Sequence, residues 1–75
     1  MKQQEIYKIE VFATNIQNAL EGASIVKELH VEYPDLKVDV DLEDIDRVLR
    51  IEGYFNLDIV MKIITSKKHT CEIMP

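Results

Sequence analysis

Leu36-Lys37-Val38-Asp39-Val40-Asp41-Leu42-Glu43-Asp44-Ile45-Asp46-Arg47-Val48-Leu49-Arg50-Ile51-Glu52 is the stretch that decides the fold. Leu36, Val38, Val40 and Leu42 alternate with Lys37, Asp39 and Asp41, the two-residue period of a strand with one buried face. Glu43 to Asp46 reads as a turn and Arg47 to Glu52 as the returning strand, with Leu49 and Ile51 inward. If Leu42 faces Arg47, then Val40 faces Leu49, Val38 faces Ile51, Asp39 faces Arg50 and Lys37 faces Glu52. Apolar side chains meet on one side and opposite charges on the other. A slip of one residue destroys both patterns. Each cross-strand charge pair contributes about 0.2–1 kcal/mol.

Upstream, Ala19 to Tyr33 carries Leu20, Ala23, Ile25 or Val26, Leu29 and Tyr33 at three- and four-residue steps, the helical period. Asn18 is placed to cap this helix, and Glu21 stands where a capping box needs its acid. Pro34 ends it, because the residue before proline avoids the helical basin. Before the helix, Ile6 to Ile16 is rich in β-formers. Phe12, Thr14 and Ile16 share one side of this strand, and Tyr7, Ile9, Val11 and Ala13 share the other. Two readings of the doubled apolar pattern stay open: an apolar strip on an open sheet face, or a bulge near Val11 that returns Ile9 to the core.

Downstream, Asn56 caps a second helix from Leu57 to about Lys67, with Leu57, Val60, Met61 and Ile64 as its buried stripe and Ile63 beside it. Lys67 and Lys68 stand at its negative pole. His69 to Met74 reads as a short last strand. The order is β-α-β-β-α-β. Right-handed crossovers fold it into an α+β, ferredoxin-like domain over residues 1–75: a four-stranded antiparallel sheet with both helices on one face.

Composition narrows the function by exclusion. A 75-residue chain is one domain. Its net charge of -5 argues against holding nucleic acid by its phosphates. A single cysteine excludes an internal disulfide framework. No apolar run reaches the roughly 20 residues of a membrane span, and Met1 to Glu5 shows no leader, so the expected address is the cytoplasm.

Thr14-Asn15-Ile16 at the end of the first strand, Val38 to Leu42 with Arg47 to Ile51, and Cys71-Glu72-Ile73 in the last strand together resemble the heavy-metal-associated domain family. The resemblance covers nearly the whole chain and implies the same fold. That family carries a Cys-x-x-Cys pair after the first strand, which binds soft ions such as copper(I) through thiolates. The matching positions here hold Asn18 and Glu21, neither a soft donor. The resemblance also places Lys67 and Lys68 near that loop, so Glu21 is expected to turn either to its own helix start or to one of these lysines.

Other chemistry is sparse. His69 and Cys71, two apart, are the alternative soft-metal pair, with Met74 on the opposite side. The reading adopted is that Cys71 and Ile73 face the helices and that Cys71 is a small hydrophobe. Zinc takes four ligands, and the chain offers one cysteine and two histidines, His30 and His69. Asp39, Asp41, Glu43, Asp44 and Asp46 lack the glycine and flanking helices of a calcium loop and read as a solvated turn. No nucleophile has a histidine and an acid beside it, and no glycine-rich phosphate loop is present, so an enzyme is not expected. Acylphosphatases share the strand order, but the first strand-to-helix loop has no arginine for a phosphate. The expectation is a non-enzymatic interaction or regulatory domain without a cofactor. It would meet a protein partner or a second copy through Ile9, Val11 and Ala13 on the open face. The alternatives are a metal-handling accessory with an unconventional site, and an ACT-like small-molecule sensor.

Overall fold

The computed structural model describes residues 6–74; Met1 to Glu5, read above for a leader, and Pro75 lie outside the described residues. The elements are β1 (Ile6–Thr14), α1 (Ala19–Glu32), β2 (Lys37–Asp41), β3 (Val48–Phe55), α2 (Leu57–Ser66) and β4 (Cys71–Ile73). The strands form one antiparallel sheet in the order β2-β3-β1-β4. The expected ferredoxin-like α+β fold is met. Phe12, Leu49, Ile51 and Phe55 from the sheet pack on Ile25 and Leu29 of α1 and on Val60 and Ile64 of α2.

The hairpin register is the expected one: Lys37 opposes Glu52, Val38 Ile51, Asp39 Arg50 and Val40 Leu49. Leu49 and Ile51 are fully buried, while Val38 and Val40 are half-buried because β2 is an edge strand. The ladder stops at Asp41–Val48, so the loop is longer than the four residues expected. Arg47 belongs to that loop, at φ 49. Its backbone N–H donates to Asp44 O at 3.0 Å and its Nη1 to Leu42 O at 3.1 Å. The acidic residues serve the same turn. Asp41 Oδ1 accepts from the N–H of Glu43 and of Asp44, and Asp44 Oδ1 from that of Asp46.

β3 runs three residues beyond the expected Glu52. Gly53 ordinarily reads as a strand breaker. Here it holds φ +146, and a Cβ would stand 2.7 Å from Leu36 Cδ2, so the missing side chain is the space that Leu36 fills.

β1 pairs with β3 without interruption from Ile6–Phe55 to Phe12–Leu49. That ladder excludes the bulge near Val11. β1 ends at Thr14 rather than Ile16, since Thr14 N–H turns to Asp46 O at 2.9 Å in the hairpin loop. Ile16 is still buried, from the loop beyond.

Both caps form as expected. Asn18 Oδ1 accepts from Glu21 N–H at 2.9 Å, and Asn56 Oδ1 from Asp58 and Ile59 N–H. The face of α1 is the expected one at Ile25 and Leu29 and differs in its first turns. Gly22, Ile25 and Leu29 are buried, Leu20 is 84% exposed and Ala23 is exposed. The helix meets the sheet through its smallest residue, Gly22, beside Val40 and Ile16. Apolar spacing gives no weight to a glycine, so it misplaces the stripe. Tyr33 is the C-cap of α1, and its hydroxyl accepts from Asn56 N–H at 3.1 Å.

Candidate functional site

Two regions hold the residues singled out by the sequence. The first is the pair of loops β1–α1 and α2–β4. Asn15 joins them: its Oδ1 accepts from Thr70 N–H at 2.9 Å and lies 3.1 Å from His69 Nδ1. Because that amide oxygen can only accept, Nδ1 carries the proton in this contact. Nε2 lies 4.0 Å from Glu21 Oε1, ion-pair distance for a charged ring. Glu21 Oε1 also accepts from Gln17 N–H at 2.9 Å. This is the reciprocal half of the capping arrangement, displaced by one residue from Asn18.

Asn18 and Glu21 are thus both engaged in starting α1. Of its two expected partners Glu21 takes its own helix start and does not meet Lys67 or Lys68. Lys67 Nζ pairs with Glu28 at 3.5 Å, and Lys68 adopts φ 65 just after α2. His69 and Cys71 do not form a pair on one strand either. β4 begins only at Cys71, so strand alternation does not govern His69, whose ring turns to Asn15 and Glu21. Cys71 opposes Thr14, packs partly buried against the core, and burial pushes its thiol pKa up. Ile73 opposes Phe12 and so lies on the helix side as expected, yet it is 47% exposed at the sheet's edge. His30 is committed elsewhere, its Nε2 2.9 Å from Leu36 O. No group of three or more metal-ligating histidine, cysteine or acidic side chains occurs among the described residues.

The second region is the open face of the sheet. The β1–β3 register puts Tyr7, Ile9 and Val11 on the side away from the helices, opposite Tyr54, Glu52 and Arg50. Ala13 follows in phase opposite Glu72. Ile9 is 50% exposed, and Val11 and Ala13 are half-buried. Met74 N–H donates to Val11 O at 2.8 Å and extends the covered edge of β1.

Polar side chains on this face are linked to one another. Arg50 bonds Glu52 at 3.2 Å and reaches Asp39 at 3.9 Å. Tyr7 hydroxyl donates to Glu52, which lowers the Glu52 pKa and raises that of Tyr7. The rings of Tyr7 and Tyr54 meet edge to face at 5.2 Å. Sequence reading missed this tyrosine–glutamate–arginine chain, because it set no register between the first strand and the hairpin, and that register is what brings Tyr7 to Glu52. It also passed over Asn15, whose role depends on a loop more than fifty residues away.

The strand order and the two helices define a small α+β domain of ferredoxin-like topology. Two solved structures share it. One belongs to work on crosstalk between Cu(I) and Zn(II) homeostasis; it is 17% identical, with TM-score 0.73, over 83% of this chain and 97% of the other. The second is Atx1, in a side-to-side arrangement under anaerobic conditions, from a study of the metal-binding versatility of copper trafficking sites. It is 19% identical, with TM-score 0.72, over 83% of this chain and 97% of the other. At such identities the likeness establishes the fold alone. No protein-family model matches the chain, and no curated protein matches it. No helix among the described residues is long and apolar enough to cross a membrane.

Proposed function

We propose that this chain is a single, non-enzymatic interaction domain of the cytoplasm that has kept the heavy-metal-associated shape without its thiolate chemistry. It binds a protein partner through the open face of its sheet. One observation carries the reading: the uninterrupted β1–β3 ladder leaves Ile9, Val11 and Ala13 in line on the side without helices. A contiguous apolar strip on a solvated face marks a contact surface. Asn18 and Glu21 serve the helix start, and neither is a ligand that copper(I) favours.

The test has two arms. Ile9→Gln should leave the melting curve nearly unchanged, since the side chain is half exposed and a neutral amide does not repel Glu52 opposite it, and should abolish capture of the partner that the unaltered domain retains. Equal capture by both proteins would remove the open face from the function. Titration with copper(I) in reducing buffer should leave the amide resonances of Gln17 to Gly22 unmoved.

A second reading, a metal-handling accessory, is favoured by the posture of His69. Its Nδ1 is held by Asn15, and its Nε2 stands 4.0 Å from the Glu21 carboxylate, so an imidazole nitrogen and a carboxylate oxygen share one place. Sub-micromolar metal binding that moves His69 and is lost in His69→Ala would select this reading over the first.

A further inference from the structure

At the end of the sheet remote from Asn15 and His69, β1 begins, β3 ends and α1 passes into β2. Their junction is a groove of about 460 Å³. That volume lies within the range of small-ligand sites and suits one long side chain better than a folded segment. Pro34 and Leu36 give it apolar walls, and Tyr7 and Tyr54 present their rings. Glu32, Asp35 and Glu52 line it against a single cation, Lys37.

The polar groups divide by availability. Glu52 is satisfied by Tyr7 and Arg50. Glu32 and Asp35 are exposed and have no ion pair among the described residues. The carboxyl end of α1 adds the negative pole of its dipole at the same place. Tyr54 is 62% exposed, and the face of such a ring attracts ammonium and guanidinium groups. Carboxylates, helix pole and ring thus favour the same charge.

We propose that the groove receives an arginine or lysine side chain of the partner protein that covers the open face. This rests on the interaction reading above. Tyr7 lines the groove and lies in phase with Ile9 on the open face, so the two surfaces are continuous. The apolar stem lies along Leu36 and the tyrosine rings, and the cationic head meets Glu32 and Asp35. Arginine fits best, because its planar head stacks on a ring while it donates to a carboxylate.

The experiment is an amide NMR titration of the full chain with three probes: N-acetyl-arginine amide, its neutral counterpart N-acetyl-citrulline amide, and the acetylated, amidated tripeptide Leu-Arg-Leu. The arginine amide should shift Lys37, Gly53 and Tyr54 saturably, and the citrulline amide should bind at least fivefold more weakly. The tripeptide should bind at least threefold more tightly than the arginine amide and extend the shifts to Ile9. Glu32→Gln combined with Asp35→Asn, both at exposed positions, should weaken arginine binding at least fivefold. No saturable shift, or equal binding of the two amides, overturns the proposal. A tripeptide no tighter than the amide overturns the protein partner in favour of a free small cation. Ile9→Gln separates the two ideas, because it leaves the charge of the groove unaltered and should retain arginine-amide binding even though it loses the partner.

Discussion

Gly53 at φ +146, with Leu36 filling the space of its absent side chain, is the position least open to substitution. Gly53→Ala meets both a backbone conformation hostile to a Cβ and a 2.7 Å contact, and should destabilise the domain by about 1–3 kcal/mol in a denaturant melt. The Tyr7–Glu52 bond has a different signature, in pH. The lowered Glu52 pKa makes its contribution complete above the ordinary carboxyl value of 4.5 and lost as pH falls through the lowered value. The raised Tyr7 pKa makes it complete below 10.0 and lost as pH rises through the raised value. Tyr7→Phe should therefore lower stability between those limits and converge on the unaltered protein at both extremes. Chemical denaturation at several pH values measures this. Cys71, half-buried with its thiol pKa raised, should react with a thiol reagent more slowly in the native state than after unfolding.

At the scale of elements, the hairpin and the caps carry separable shares of stability. Leu49 is fully buried at the centre of the sheet and Val40 is half-buried at its edge. Leu49→Ala should cost about 2–5 kcal/mol, and Val40→Ala clearly less. Asn18→Ala and Asn56→Ala should each cost about 1 kcal/mol, read from the same melts. The hairpin register was legible in the sequence because two independent patterns, apolar and charged, agree on one pairing. The caps were legible because their chemistry is local. The face of α1 was legible at Ile25 and Leu29 and not in its first turns, since Gly22 contributes closeness rather than hydrophobicity. The end of β3 was hidden by a glycine whose reason is Leu36, seventeen positions upstream in the chain and adjacent only in the fold. The candidate site divides in the same way. Asn18 and Glu21 could be placed by local spacing, whereas the contact of His69 with Asn15 depends on how two distant loops close together.

At the scale of the molecule, the strand order puts the first strand in the middle of the sheet, between the third and the last. Its partners are remote in sequence: Ile6 reaches Phe55, and Phe12 reaches both Leu49 and Ile73. The hairpin, by contrast, closes over a short loop. The folding route follows from loop closure, which is cheap for the hairpin and slow for the central strand. Folding should therefore begin at β2–β3 and be limited by the capture of β1. Until that capture, β1 waits as a strand with apolar residues on both sides and two unsatisfied edges, the form of chain most prone to self-association. Refolding yield should fall as protein concentration rises. Ile9→Gln should restore that yield while leaving the folded domain's stability nearly intact, because the same residue that offers a surface to a partner also offers one to every other unfolded copy.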